Sequence, residues 1–193
     1  FGGGQKLLNE IYHPYGIHSL LCGIIAAEAA GWYRDSYSTP EELIGLKMRA
    51  TGLGSKVLNK LGVETYDLHE SNIFIALENG EIDAAEFSMP AIDLKMGFHH
   101  LAGHYYFPGW HQPSSFFELI INKDRWDTLS ITNKAQIETV CGDNVRHGLA
   151  EGEALQYGAL KELTEKGVTI KRWPTGILTA LENAWMEVAM EQS

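Results

Sequence analysis

The first part of the chain alternates apolar and polar positions in a way that predicts one helix and one buried strand. Residues 5–12 place apolar side chains three and four positions apart, which is typical of one face of a helix, and Pro14 ends it. Residues 17–25 form a continuous apolar run after Gly16, with the length of a buried strand.

From residue 45 to residue 87, period-two and helical patterns alternate, with Gly at the ends of the helices. The predicted order is strand, helix, strand, helix, strand. Such an order implies a parallel or mixed sheet with helices on its faces, where ligands collect at the strand ends. The predicted elements are strands over 46–49, 63–68 and 82–87, and helices over 55–61 and 72–79, the second capped by Ser71.

The remainder of the chain continues the α/β pattern and becomes mostly helical. The pattern predicts a helix over 90–101, strands over 104–107, 116–122 and 168–173, a helical region over 137–167 that Gly148 and Gly152 bend or split, and a final helix that begins at Thr175. The sequence therefore predicts an α/β fold with a helical carboxyl-terminal region.

Composition narrows the function classes. The 193 residues are 45% hydrophobic, which excludes a disordered or fibrous protein. Fifteen Lys and Arg against 25 Asp and Glu give a net charge of -10, so nucleic acid is not an expected partner. The longest uncharged apolar stretch, residues 19–27, is about half of a membrane-spanning helix, which predicts a soluble chain.

The two cysteines and the first residues of the chain give little information about the compartment. Cys22 and Cys141 are too few and too far apart for a disulfide framework, and neither belongs to a C-x-x-C pair, so they leave the compartment open. Phe1 followed by three glycines is neither an initiator Met nor a signal peptide. We therefore expect that an upstream segment, either a leader or a larger amino-terminal part, is missing.

Two charged residues at predicted strand ends are candidates for ligand binding. Arg49 precedes a glycine-containing turn, where a guanidinium can hold both oxygens of a carboxylate. Glu86 lies in an apolar setting in which a carboxylate needs a cation or a donor. On the residues alone, a surface Arg and a solvated Glu remain open alternatives.

Four histidines, His99, His100, His104 and His111, suggest a metal site. However, Gly103 interrupts the helical register that would place two of them on one face, and no H-E-x-x-H or Cys partner accompanies them. The favoured interpretation is therefore exposed or hydrogen-bonded histidines.

Four stretches together resemble one protein family. Residues 1–12, 45–49, 76–87 and 105–111 resemble, in order and spacing, the DctP-like solute-binding proteins of TRAP transporters. The resemblance spans essentially the whole chain. It is strongest to the branch that binds 2-oxo acids and other monocarboxylates with the help of a metal ion.

The resemblance implies a periplasmic, non-enzymatic receptor that delivers a small organic acid to a membrane permease. It implies a type II-like fold of two α/β lobes, with a homodimer as a possible assembly in view of relatives that pair through a carboxyl-terminal helix. This chain is shorter than such receptors, which indicates an incomplete first lobe. The expected division is 1–22 as the end of lobe I, 23–85 in lobe II, 86–114 returning through lobe I, and 115–193 in lobe II with the carboxyl-terminal helices.

The resemblance also assigns site residues. Arg49 matches the arginine that binds the solute carboxylate, and Gln112 matches a polar residue that reaches the cleft. Glu86 and the backbone carbonyl of Phe87 match metal ligands, and Glu28 matches a position, usually Gln, that touches both metal and solute. Phe87 stands where the family usually has Trp, so the resemblance implies that its side chain is near the solute but packs against it differently. The bound ion is expected to be Ca²⁺ or Na⁺, and the extra charge of Glu28 favours Ca²⁺.

Two alternatives stay open. One is a metal-dependent enzyme that uses the histidines between His99 and His111. The other is a family member that has lost solute binding and acts only as a permease-binding or scavenging protein. Ile24 and Ile25 replace polar residues of the family, which indicates a less polar solute.

Overall fold

The computed structural model describes residues 3–192, so Phe1, Gly2 and Ser193, including the start of the glycine run, lie outside the described residues. None of the helices in this range is both long and apolar enough to cross a bilayer. In chain order the elements are α1 (Gly4–Tyr12), β1 (Ile17–Ile25), β2 (Gly31–Tyr33), β3 (Lys47–Arg49), α2 (Gly52–Lys60), β4 (Glu64–Tyr66), α3 (Glu70–Glu78), β5 (Ala84–Ala85), α4 (Pro90–Met96), β6 (His104–Phe107), β7 (Ser115–Asn122), α5 (Lys123–Thr128), α6 (Ile131–Glu165), β8 (Thr169–Arg172) and α7 (Thr175–Gln192).

The chain divides into two compact units. Unit 1 consists of the residues up to Ala26 together with Ser114–Ala154, and unit 2 consists of Ala27–Pro113 together with the residues from Leu155 onward. Predicted boundaries after residues 22 and 114 lie close to these. The structure has no division at 85/86, because β5 and β6 both pair with β2 in one sheet. A division after Ala154 is present in the structure but is not predicted from the sequence. The assignment of residues to lobes stays a prediction.

Unit 1 is built on one antiparallel strand pair. In this pair β1 runs against β7, with Ile17 opposite Asn122 and Ile25 opposite Ser115. Its buried cluster is small and contains Leu20, Trp126 and Cys141. So small a cluster buries little apolar area, and little stabilisation from burial is expected.

A disulfide bond joins Cys22 of β1 to Cys141 of α6 across 119 residues of sequence. Both cysteines belong to unit 1. One bond is not a framework of the kind that the cysteine count excludes, but the sequence analysis did not anticipate this pairing. A disulfide is typical of an oxidising compartment such as the periplasm.

Unit 2 is built on a mixed six-stranded sheet in the order β4-β3-β5-β2-β6-β8. Strand β3 runs parallel to β4 and β5, β2 runs antiparallel to β5 and β6, and β6 runs parallel to β8. The α/β fold predicted from the sequence is confirmed.

Adjacent residues of the central strands belong to different apolar clusters, as expected for a sheet that is covered on both faces. Trp32 and Tyr105 pack in one cluster, with residues of α3 and α6, whereas Tyr33 and Tyr106 pack in the other, with residues of α2 and α7. All four aromatic side chains are at most 1% exposed. Close packing on both faces therefore fixes the positions of the strands and of the residues at their ends.

Most predicted elements are present, with shifted ends. Strand β1 has the predicted bounds, whereas the helix predicted to reach Leu101 ends at Met96, because Gly97 adopts a left-handed conformation with φ of 78°. Helix α6 begins at Ile131 and is not split at Gly148 or Gly152. His69, and not Ser71, caps α3 by accepting from the Ser71 N–H. Strand β2 and helix α5 were not predicted.

Candidate functional site

The centre of the site is formed by the ends of two neighbouring parallel strands. The register pairs Arg49 at the end of β3 with Ala85 of β5, so the next residue, Glu86, lies beside the guanidinium. Nη1 of Arg49 donates to the Glu86 backbone carbonyl at 2.6 Å and to Glu86 Oε2 at 3.0 Å. Arg49 and Glu86, the two residues that the sequence analysis singled out first, therefore face one another as a buried ion pair.

The rest of the Arg49 side chain is held by its surroundings. Nε donates to the Leu68 carbonyl at 3.3 Å, and the guanidinium carbon lies 5.8 Å from the centre of the Phe87 ring. The hydrogen bonds that Arg49 makes within residues 3–192 use Nε and Nη1. Nη2 is not a donor in these hydrogen bonds. The Phe87 ring therefore lies near the Arg49 guanidinium. The expectation that the Phe87 carbonyl is a metal ligand stays a prediction.

Two loop segments bring Glu28 and Gln112 together. Gln112 Nε2 donates to Glu28 Oε1 at 3.0 Å. The two segments are also joined through their main chains, since the Gly109 N–H donates to the Glu28 carbonyl at 3.0 Å. A Cβ at position 109 would lie 2.2 Å from that carbonyl oxygen, so only glycine permits this approach.

His111 completes the cluster. Its Nε2 lies 3.4 Å from Glu86 Oε1 and 4.0 Å from Glu28 Oε2. These distances are within ion-pair range, but Nε2 makes no hydrogen bond. Among the described residues, Glu28, Glu86 and His111 form the one group of acidic, His or Cys side chains whose ligand atoms converge, all within 4.8 Å of one another.

Burial and the neighbouring negative charge of Glu86 make ionised Glu28 unfavourable unless a positive group lies beside it. Burial and, after it, the nearby Glu86 carboxylate together raise the pKa of Glu28 to about 7, against the opposite influence of His111 and Arg49. A carboxyl group in this state is costly to ionise unless a cation joins it.

The donor atoms fit a bound cation. Glu28 Oε2 and His111 Nε2 are both buried without a hydrogen-bond partner. Nine buried side-chain polar atoms of residues 3–192 have no such partner, and these two lie only 4.0 Å apart, so one ion or water between them can satisfy both. Glu86 and His111 also line a cavity of about 10 Å³, which is roughly the space of one water.

The other histidines of the stretch lie apart from this cluster. His99 stacks on His100 with ring centres 4.0 Å apart, and both follow α4. His104 lies on β6. The expectation of exposed or hydrogen-bonded histidines holds for the exposed His100. It is wrong for His99, His104 and His111, each of which has at least one buried ring nitrogen without a hydrogen-bond partner.

The chain matches, over residues 4–192, the model of the DctP family, described as bacterial extracellular solute-binding protein, family 7. The chain belongs to this family. Its members are periplasmic receptors of TRAP transport and are not enzymes, so the family resemblance seen in the sequence is confirmed and the alternative of a metal-dependent enzyme is set aside.

Three relatives illustrate the match. The monocarboxylate 2-oxoacid-binding periplasmic protein of Nostoc sp. PCC 7120 is 30% identical over all of this chain and 53% of its own length. A TRAP solute-binding protein of Bordetella bronchiseptica, crystallised as a dimer with calcium and picolinate, is 35% identical with a TM-score of 0.87 over 99% of this chain and 57% of its own. One from Pseudoalteromonas atlantica, with sodium and pyruvate, is 31% identical with a TM-score of 0.84 over 99% and 58%.

The chain thus spans little more than half the length of these relatives. Of the predicted site residues, the structure brings Arg49, Glu86, Glu28 and Gln112 into one cluster and adds His111 to it. The sequence offered one signal for His111, its position directly before Gln112. The sequence analysis discounted that signal by treating the residue as one of a histidine stretch.

Proposed function

We propose that this DctP-family chain forms part of a TRAP receptor that captures a small monocarboxylate, a 2-oxo or 2-hydroxy acid, together with a cation. The observation that carries the proposal is the ion pair of Arg49 and Glu86 at the ends of adjacent strands, beside Glu28 Oε2 and His111 Nε2, which are buried without a hydrogen-bond partner. A guanidinium can bind the carboxylate of such an acid, while a cation beside it can be chelated by a carboxylate oxygen and the adjacent oxo or hydroxyl oxygen.

In this proposal each side chain has a separate role. Arg49 presents Nη2 to the solute carboxylate, while Glu28 and Glu86 hold the cation, and the Phe87 carbonyl is an additional ligand. Gln112 orients Glu28 and reaches toward the solute, and the Phe87 ring packs against it. The cation supplies a Lewis-acidic bridge to the acid, which no group of the chain itself provides.

The relatives support the class of solute. Their structures hold pyruvate with sodium and picolinate with calcium. Both acids carry a second donor atom next to the carboxylate, which lets them chelate a cation. Delivery to a membrane permease, closure of two lobes on the solute, and a homodimer are part of the same proposal.

The test is calorimetry on the protein expressed in its full encoded length, with pyruvate, lactate and longer 2-oxo acids, with and without Ca²⁺. Replacing Arg49 by Lys keeps the charge but removes the planar fork, so we expect affinity to fall about 10–100-fold. The matched control is Arg34→Lys, because the Arg34 guanidinium donates to the Leu101 carbonyl away from the cluster, and this variant is expected to bind like the wild type.

Equal affinity in wild type and Arg49→Lys would remove Arg49 from the site. If no acid of the series binds to the correctly folded protein, the alternative of a receptor that has lost its solute gains the support that the proposal loses.

A further inference from the structure

The turn between β5 and α4 carries two of the expected cation ligands. Glu86 follows β5 directly, Phe87 comes next, and α4 begins after two more residues. On one side of Phe87, the Glu86 carbonyl accepts from Arg49 at 2.6 Å. On the other side, the Ser88 carbonyl accepts from the Ala29 N–H at 3.0 Å. Two fixed carbonyls thus flank that of Phe87, and the placement of the turn decides where it points.

The start of α4 leaves one backbone donor without a partner in its own helix. If the helix began one turn sooner, the Ala91 N–H would bind the carbonyl four residues earlier, which is that of Phe87. Pro90 prevents this, because the residue before a proline disfavours the helical conformation, and Met89 is extended, with φ of -112° and ψ of 160°. Met89 is also the N-cap residue, and its side chain makes no capping hydrogen bond. The Ala91 N–H therefore needs an acceptor from another element.

Gln156 of α6 supplies that acceptor. Its Oε1 accepts from the Ala91 N–H at 2.9 Å, and its Nε2 donates to Sδ of Met89 at 3.0 Å. The Gln156 side chain is half-buried, and it belongs to unit 2 together with both of its partners. One amide group thus holds the chain on both sides of Pro90, at the point where the turn enters the helix.

The rest of α4 is fixed independently of Gln156. Asp93 is fully buried, and its Oδ2 accepts from Trp32 Nε1 at 2.9 Å and from the Tyr105 hydroxyl at 2.7 Å. These two donors lie on β2 and β6, so Asp93 fastens the helix to the sheet. Loss of the Gln156 contacts would therefore leave α4 folded and in place and would loosen the turn that precedes it.

We propose that Gln156 is a positioning residue of the solute site, which holds the turn at Glu86 and Phe87 so that both residues reach the cation. The proposal rests on the proposed function, because it needs the cation that joins the acid to the protein. Replacing a residue that orients metal ligands without touching the metal commonly costs about 10–100-fold in metal affinity. Gln156 acts only through Met89 and Ala91 and contacts neither the cation nor the solute.

The experiment compares two replacements of Gln156 in the protein expressed in its full encoded length. Gln156→Leu removes both hydrogen bonds at nearly the same volume, whereas Gln156→Glu keeps an oxygen for the Ala91 N–H. Calorimetry measures the affinity for Ca²⁺, and the affinity for pyruvate in the presence of Ca²⁺. We expect both affinities to fall at least about 10-fold in Gln156→Leu and to stay within about 3-fold of the wild type in Gln156→Glu.

A second measurement separates positioning from a general loss of stability. Tb³⁺ replaces Ca²⁺ in oxygen-ligand sites, and its luminescence lifetimes in H₂O and D₂O count the water molecules bound to it. When the Phe87 carbonyl leaves the cation, water takes its place, so we expect about one more bound water in Gln156→Leu. The melting temperature should fall by less than about 5 °C, as for the loss of one helix cap. The control is Gln136→Leu, at an exposed position of the same helix, for which we expect no change.

Wild-type affinities in Gln156→Leu would overturn this proposal and leave the proposed function in place. A weaker affinity in that variant with an unchanged number of bound waters, or an equal loss in Gln156→Glu, would overturn it as well. A wild-type protein that binds Ca²⁺ but none of the acids would contradict the proposed function, and the Ca²⁺ affinity of Gln156→Leu would still decide the role of Gln156. If the wild type binds neither Ca²⁺ nor an acid, both proposals fail.

Discussion

Unit 2 and unit 1 hold themselves together by different means. Unit 2 covers both faces of a six-stranded sheet, and side chains such as Trp32, Phe98 and Tyr105 are fully buried in it. Unit 1 has a single strand pair, leaves Phe116 and Ile120 more than half exposed, and contains a disulfide. Small cores in other proteins are commonly reinforced by such a bond.

The difference indicates which unit must hold its side chains in fixed positions. All residues of the proposed site, from Glu28 to Gln112, belong to unit 2. A site whose ligand atoms must converge within a few ångströms needs a rigid base, and close packing provides one. Unit 1 contributes none of these residues and is free of that demand.

The largest expected effect tests the packing of unit 2. Replacing Phe98, which has no exposed surface, by Ala removes a buried ring and leaves a cavity. We expect the free energy of unfolding to fall by about 3–5 kcal/mol, measured by urea denaturation. The matched control is Phe116→Ala in unit 1, where the side chain is 61% exposed and we expect a change within about 0.5 kcal/mol. Similar losses for both variants would contradict the contrast drawn between the units.

The next effect tests the reinforcement of unit 1. Replacing Cys22 and Cys141 by Ser removes the cross-link, and we expect a loss of about 2–5 kcal/mol. Hydrogen exchange should show that amides of β1 and β7 lose protection before those of the unit 2 sheet. Adding reductant should affect the wild type but not the double variant. An unchanged exchange pattern in the variant would show that the small core of unit 1 is sufficient.

A smaller effect distinguishes the units by pH. Burial raises the pKa of Asp93 in unit 2 to about 7, although hydrogen bonds from Tyr105 and Trp32 oppose the shift. Between about pH 4 and pH 7 the folded carboxyl keeps its proton while the unfolded one releases it, so stability falls as pH rises. Asp93→Asn should reduce this fall by on the order of 3 kcal/mol, measured as unfolding free energy against pH. Glu28 adds a fall of the same sign.

His18 in unit 1 gives the opposite sign and the smallest effect. Burial lowers the pKa of this imidazole, and the neighbouring His13 lowers it further. The unfolded histidine therefore binds a proton below its ordinary pKa while the folded one remains neutral, and stability rises as pH rises through about 6. In His18→Gln this rise should become smaller but not disappear, because burial and the neighbouring His100 also lower the pKa of His99 in unit 2. A wild-type rise that is retained in full in the variant would mean that another group causes it.

Local pattern was enough for much of the fold. The bounds of β1 follow from one uninterrupted apolar run, and the strand–helix alternation from residue 45 predicts the α/β class. Strand β2 was missed although β3 and β4, of the same three-residue length, were predicted, because its Gly-Trp-Tyr run shows no alternation of apolar and polar positions. The pairing of β1 with β7 joins distant residues, and no local pattern reveals it. The disulfide was missed for the same reason.

The site was predictable where chemistry and position coincide. Arg49 and Glu86 each follow a strand, and parallel strands bring such ends together. Glu28 and Gln112 depended on the family resemblance, because both lie on loops with no regular pattern. His111 was missed because it becomes a candidate site residue only through its closeness to Glu28 and Glu86, which are distant in sequence and are brought beside it by the fold.

The contact between Gly109 and the Glu28 carbonyl has a consequence for engineering. It joins two chain segments through atoms that no mutation of a side chain alters, so the side chains at positions 28, 111 and 112 are mounted on a fixed frame. Libraries at these three positions can vary the side chains of the proposed site without moving their attachment points. Position 109 must stay glycine in any biosensor derived from this chain.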